Sequence, residues 1–292
     1  MAQINKNGID VSKHQGVIDW NKVKAAGIEF AILRAGFGNN NIDEQFKRNI
    51  SECNRLGIPV GVYWFSYALN AENAVREARQ CIALIKPYKV EYPVCYDIEY
   101  DTVTRARKKG VTIGKVQATA FVKAFCTEVQ KAGYYATNYA NKDYIRNMLD
   151  MNALRGFDLW YAWYNKNCDR NDVGLWQYTS SGKVPGISGN VDLNISFKDY
   201  PSIIRSAGLN GFSNGITPPS KDIKPPTNNY NKGKPIVKGG KVKILKAIQY
   251  NGKPFKAYYG SYDVISVSGD KVVIGIGKTV TAAVKASNLS AI

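Results

Sequence analysis

Over its first two hundred residues the chain alternates short apolar runs with amphipathic stretches, and this alternation admits few folds. Strands are predicted at Gly8–Val11, Phe30–Ala35, Val60–Tyr67, Pro93–Tyr100, Tyr134–Tyr139, Leu159–Trp163, Gly174–Tyr178 and Val191–Asn194. Helices are predicted near Trp20–Ala26, Asp43–Leu56, Ala71–Lys86, Ile113–Lys131, Lys142–Met148 and Phe197–Ser206. Strand and helix in turn is the pattern of an α/β fold, a mostly parallel sheet wrapped by helices. Eight strands are enough to close a barrel. The later ones follow one another with little helix between them, so an irregular (β/α) barrel is expected rather than a regular one.

Beyond this region the character of the chain changes. Residues 209–236 are rich in Gly, Pro, Asn, Ser and Lys, including Pro218-Pro219, Pro225-Pro226 and Asn228-Asn229, and read as a linker. Short β-rich runs follow at Lys241–Ala247, Phe255–Tyr259, Tyr262–Ser268, Lys271–Ile276 and Thr279–Ala286, with turn signals at Asn251-Gly252 and Gly269-Asp270. The expected organisation is a large α/β domain over 1–208, a linker over 209–236 and a small all-β barrel over 237–292, which suits a chain of 292 residues.

Several chemistries are excluded by what the chain lacks. No stretch approaches the ~20 apolar residues of a membrane-spanning helix, so no membrane insertion is expected. The opening residues lack the basic, apolar and small-residue regions of a signal peptide, so synthesis in the cytoplasm is expected, with a separate route of release. Five cysteines (Cys53, Cys81, Cys95, Cys126, Cys168), odd in number and widely spaced, read as core thiols. The single histidine, His14, is too few for a zinc hydrolase and would have to serve any Ser-His-Asp or Cys-His device alone. No cofactor or metal is expected, and carboxylates are the abundant catalytic groups that remain.

The net charge of +17 calls for an anionic partner: nucleic acid, acidic lipid or a bacterial wall carrying anionic polymers. Residues 209–292 hold thirteen lysines, no arginine and three acids (Asp222, Asp263, Asp270), so the charge is densest in the tail. A solvated, lysine-rich surface serving solubility explains the same excess.

The strongest local signal is Tyr92-Pro93-Val94-Cys95-Tyr96-Asp97-Ile98-Glu99-Tyr100, an apolar strand ending in two acids two residues apart. Strand side chains alternate, so Asp97 and Glu99 share a face. In a β/α barrel, functional groups collect where strands end. An isolated D-x-E is more often a solvated strand end, but the other strand ends add weight. They supply Asp10, Arg34, Tyr63, Phe65, Tyr139, Trp163, Gln177, Tyr178 and Asp192. Carboxylates among aromatics suit a saccharide groove, since sugar rings stack on aromatic faces. Glycosidic cleavage needs a protonated acid and a second group that attacks or stabilises the cationic sugar. Clustering of Asp10, Asp97, Glu99 and Asp192 raises carboxyl pKa values and keeps Glu99 protonated.

Five ordered segments resemble the Chalaropsis-type lysozymes, glycoside hydrolase family 25, common among phage endolysins and autolysins. They are Gly8-Ile9-Asp10-Val11-Ser12-Lys13-His14-Gln15-Gly16, Tyr96-Asp97-Ile98-Glu99, Trp160-Tyr161-Ala162-Trp163-Tyr164, Trp176-Gln177-Tyr178 and Val191-Asp192-Leu193-Asn194. The resemblance implies an irregular β/α barrel that hydrolyses the β-1,4 bond between N-acetylmuramic acid and N-acetylglucosamine. Glu99 becomes the general acid, and Asp97 the partner that attacks or steadies the substrate acetamido group. Asp10 and Asp192 support them, and Tyr63, Tyr139 and Trp163 become groove contacts. Arg34-Ala35-Gly36-Phe37-Gly38 departs from the lysine-to-glutamate pattern of many members. The tail resembles a bacterial SH3-type wall-binding domain through Lys241-Val242-Lys243-Ile244, Asn251-Gly252 and Tyr262-Asp263-Val264-Ile265.

The expected partners are therefore peptidoglycan and anionic wall polymers, with no nucleic acid. Release through a holin-type membrane lesion fits an endolysin. A chitinase-like glycosidase and a catalytically silent wall-binding protein remain alternatives, and His14 is read as more structural than catalytic.

Overall fold

A computed structural model describes residues 4–212 and, further along, 236–255, 257, 260–268, 270–277 and 279–292. The chain divides into two compact units, Met1–Pro218 and Pro219–Ile292.

In the first unit eight strands form a closed sheet: β1 (Lys6–Val11), β2 (Phe30–Phe37), β3 (Val60–Phe65), β4 (Val94–Asp97), β5 (Ala136–Asn141), β6 (Asp158–Ala162), β7 (Leu175–Gly182) and β8 (Val191–Ser196). From β1 to β7 neighbouring strands are parallel in chain order. β8 is antiparallel to both β7 and β1 and closes the barrel between them. This reversal explains the irregularity expected above, because an antiparallel partner needs only a hairpin, whereas a parallel one needs a crossover. The two residues Asn41–Ile42 add a short antiparallel edge to β2.

Seven α-helices accompany the sheet: α1 (Trp20–Ala25), α2 (Phe46–Leu56), α3 (Ala71–Ile85), α4 (Tyr100–Lys108), α5 (Lys115–Lys131), α6 (Met151–Leu154) and α7 (Tyr200–Ser206). Polar side chains start them: Asp19, Asn70 and Asp199 accept from the Lys22, Asn73 and Ser202 amides at α1, α3 and α7. The stretch expected as a helix near 142–148 is a single π-helical turn, Tyr144–Met148.

Alternation along each strand separates two cores. Val60, Val62, Trp64, Val94 and Tyr96 face outward against α3 and α5 residues such as Ala78, Cys81 and Phe125. Phe30, Ile32, Cys95, Tyr139, Trp160 and Leu175 fill the barrel with Tyr200 and Ile204 of α7. The floor is tight. Phe30 stacks on Tyr92 with centroids 4.4 Å apart, and a Cβ on Gly8 would lie 2.3 Å from the Phe30 ring. Four cysteines are buried, while Cys168 is half-buried with its Sγ directed to Arg170 O.

Among the boundaries that differ from the sequence reading, two bear on the site and on the domain's extent. The fourth strand stops at Asp97 instead of Tyr100, and Glu99 begins helix α4, where its amide donates to Thr102 Oγ1. The first unit also extends past residue 208, into what was expected to be linker. Asn210 is buried and donates to Val90 O and Tyr92 O, while its Oδ1 accepts the Tyr135 amide. Those backbone groups fix 209–212 to the domain; the rest of the expected linker, 213–235, lies outside the described residues.

The second unit is a five-stranded antiparallel sheet: β9 (Lys241–Ile244), β10 (Tyr262–Ser268), β11 (Lys271–Ile276), β12 (Thr279–Lys285) and β13 (Leu289–Ala291). Its order is β12-β11-β10-β9-β13, and Val242, Tyr262, Val264, Val272, Ile274, Val284 and Leu289 form its core. At Asn251-Gly252 the chain turns, with Gly252 at φ 87° and Gln249 N donating to Lys253 O. Of the strand expected at 255–259, residues 256, 258 and 259 lie outside the described set. Strand β13 was not anticipated.

Candidate active site

Strand register brings the candidate residues to one level. Phe65 pairs with Asp97 and Asp97 with Tyr139 across β3, β4 and β5, while Asp10 pairs with Asp192 across β1 and β8. These residues, with Arg34, Tyr63, Glu99 and Gln177, line a cavity of about 320 Å³ at the strand ends. All four expected carboxylates thus face one space.

Asp97 and Glu99 are in hydrogen-bond contact. Asp97 is buried, and its Oδ1 has no hydrogen-bond partner. Burial raises the pKa of both acids well out of the ordinary carboxylate range for Asp97 and above it for Glu99, and like charge adds to this. Two carboxylates held this closely do not both ionise near neutrality, so the pair keeps one proton between them. Asp10 and Asp192 form a second such pair. Burial and then the Asp192 charge push Asp10 to about 8, against hydrogen bonds from Asn194 and Gln177 that stabilise its anion. Burial also raises Asp192, which is hydrogen bonded to Asp10.

A polar frame holds Asp10. Gln177 Nε2 and Asn194 Nδ2 each donate to its Oδ2 at 2.8 Å. Tyr139 and Tyr164 hydroxyls donate to Gln177 Oε1 at 3.0 and 3.1 Å, and Trp160 Nε1 donates to Asn194 Oδ1 at 2.8 Å. Each amide is thereby oriented with its NH2 toward the carboxylate. Trp160 is also wedged edge-on between Tyr63 and Tyr139, at 6.0 and 4.9 Å.

A different frame fixes the start of α4, and with it Glu99. Thr102 Oγ1 donates to Ser66 O at 2.7 Å while accepting the Glu99 amide. Ser66 Oγ meets the Tyr96 hydroxyl, and the buried Glu77 accepts from Tyr96 and from the Tyr67 amide. Burial raises Glu77 to about 7. Arg34 sits at the cavity wall with Nε bonded 2.7 Å from the buried Asp43.

Two expected contacts lie elsewhere. Tyr178 follows the inward-facing Gln177, so alternation turns it outward, where it packs against Trp176 at 5.5 Å. Trp163 lies one residue beyond the end of β6, under Lys142 Nζ at 4.0 Å from its ring centroid. The cavity instead takes Trp160, Tyr164, Ser12, His14 and Gln15. Trp160 was recoverable from the sequence, because it shares the parity of Ala162 at the strand end. Tyr164 and the His14 turn depend on loop conformation, which periodicity does not read.

Among the described residues no group of three or more His, Cys, Asp or Glu is placed to hold a metal ion, and no helix is long and apolar enough to cross a membrane.

The model of the family described as Glycosyl hydrolases family 25 matches residues 9–187. The autolytic lysozyme of Clostridium acetobutylicum is 28% identical over 192 residues, covering 64% of this chain and 54% of that protein. Lysozyme M1 of Streptomyces globisporus is 27% identical over 206 residues, covering 64% of this chain and 66% of that one. The modular autolysin LytC of Streptococcus pneumoniae, solved in complex with a synthetic peptidoglycan ligand, superposes with a TM-score of 0.58 at 30% identity, over 65% of this chain and 46% of LytC. The chain thus spans about half the length of the first of these lysozymes and of LytC.

Proposed function

The chain belongs to glycosyl hydrolase family 25, and we propose that it is an N-acetylmuramidase that hydrolyses the β-1,4 bond between N-acetylmuramic acid and N-acetylglucosamine in peptidoglycan. The observation that carries this reading is the convergence of Asp97 and Glu99 with Asp10 and Asp192 on one cavity at the strand ends. Glu99 is the less buried of the two and acts as general acid. As the C1–O bond breaks, the shared proton passes to the leaving oxygen from Glu99, and Asp97 is left as a carboxylate.

The contact between the two acids also favours one role for Asp97. A carboxylate that attacks C1 directly stands ~5 Å from its acid partner, so that the two flank the bond. Asp97 is in contact with Glu99 instead. In this reading the substrate's own acetamido oxygen attacks C1, and the unpartnered Asp97 Oδ1 accepts the acetamido N–H. Glu99, now ionised, takes a proton from the water that opens the cyclic intermediate. Asp10 and Asp192 add one negative charge facing the cationic sugar, and Tyr63 and Tyr139 shape the groove.

We assign the second unit the role of an SH3-type wall-binding module. Its small, separately cored sheet and lysine-rich surface support that role, and tethering would raise enzyme concentration at the wall.

Digestion of purified peptidoglycan, borohydride reduction and mass spectrometry test the cleavage. Fragments ending in reduced muramic acid are expected; fragments ending in reduced glucosamine would overturn the assignment.

A further inference from the structure

Beside the catalytic cavity lies a second one, of about 310 Å³. The two share His14, Arg34 and Phe65 as walls, so a ligand seated in one can extend into the other. Their linings differ in charge. The catalytic cavity holds four carboxyl groups, whereas the second sets Lys13 and Arg34 beside a single acid, Asp101, with the rings of Phe37, Phe65 and Tyr67 around them.

The acids near this second cavity are already engaged. Asp101 accepts the Tyr67 hydroxyl at 2.7 Å. Asp43 is buried and accepts Arg34 Nε and the Lys13 and Gln45 amides. Glu44 pairs with Lys13 Nζ at 2.7 Å, but its side chain is 71% exposed, and such a surface pair is weak enough for Lys13 to exchange partners. Arg105 adds a further cation over the Tyr67 ring at 4.0 Å. Cations paired with aromatic faces hold a carboxylate and the amide planes around it.

We propose that this cavity is a subsite for the acidic peptide stem that muramic acid carries on its lactyl arm, its carboxylate held by Lys13 and Arg34 over the Phe65–Tyr67 ledge. The inference rests on the muramidase reading. The sugars of the strand are neutral, so the stem is its source of carboxylate charge. A cut on the reducing side of muramic acid puts the stem-bearing sugar in the catalytic cavity, from which its lactyl arm must leave. Repulsion from the two negative charges that the four acids share on one side and attraction to Lys13 and Arg34 on the other direct the stem into this space and set the direction in which the strand binds.

The test compares two synthetic glycan strands with the full-length protein. One carries an L-alanyl-D-glutamate stem with a free carboxylate, and the other carries the same stem amidated. The wild type is expected to favour the acidic strand in kcat/KM by about five-fold, and Lys13→Ala to bring that ratio close to one, mainly through KM. The Lys13 amide that binds Asp43 survives the substitution, so the local fold is retained. Equal cleavage of the two strands by the wild type, or an unchanged ratio in Lys13→Ala, would overturn the subsite alone. Cleavage of neither strand would overturn the muramidase reading along with it.

Discussion

Replacing Asp10 with asparagine is expected to stabilise the first unit, by an amount that grows with pH. Asp10 is 5% exposed, and burial with the Asp192 charge raises its pKa from 3.8 to about 8. The folded state therefore binds a proton that the unfolded chain releases above its ordinary pKa. Stability from this group is complete below that value and is lost as pH rises toward 8. At about pH 7 the loss spans roughly three pKa units, or about 4 kcal/mol as an upper bound. Asparagine avoids it. Its carbonyl can accept from Gln177 and Asn194 as Asp10 Oδ2 does, and its NH2 can donate to Asp192 in place of the shared proton. We expect a gain of roughly 2 to 4 kcal/mol near pH 7, and under about 1 kcal/mol near pH 4.5. The assay is urea unfolding followed by tryptophan fluorescence. All five tryptophans (Trp20, Trp64, Trp160, Trp163, Trp176) lie in the first unit, so the signal reports that unit alone. A difference independent of pH, or a less stable variant, would refute the shared-proton account.

Further substitutions probe the floor and the frame. Gly8→Ala should cost about 2 kcal/mol in the same unfolding assay, because the new methyl meets the Phe30 ring where it is stacked on Tyr92. Tyr139→Phe should lower kcat/KM about ten-fold, because Gln177 loses a donor that orients it on Asp10. Tyr178→Phe, on the outer face of β7, should stay within about two-fold of wild type on the same substrate.

The barrel was legible because its strands alternate cleanly, and each of the eight expected strands has its counterpart. What the sequence hid is local. Helix α4 begins directly at the acid pair, and Pro93–Tyr100 reads as one apolar run, so the end of β4 at Asp97 has no signal before the Thr102–Ser66 hydrogen bond is seen. Asn210 sits among residues of linker composition, yet it satisfies three backbone groups, and composition does not report such long-range pairing. Asp97 was found as the acid that ends an apolar strand, and parity set Glu99 beside it, although Glu99 lies past the strand's end and is held by the start of α4. The same rule, applied to Gln177 and Tyr178, would have excluded one of the two, and it favours Trp160 over Trp163 on β6. The amide frame of Gln177 and Asn194 around Asp10 joins residues more than 160 positions apart and becomes visible only through strand register.

The most direct test of the central claim is Glu99→Gln, assayed by clearing of a Gram-positive wall suspension alongside the unfolding measurement. If Glu99 delivers the shared proton, activity falls by about 10³-fold or more, while the unfolding midpoint stays at or above that of the wild type, because a buried carboxyl has been replaced by a neutral group of the same shape. Clearing within ten-fold of wild type, on the order of what a contact residue alone contributes, would contradict the account.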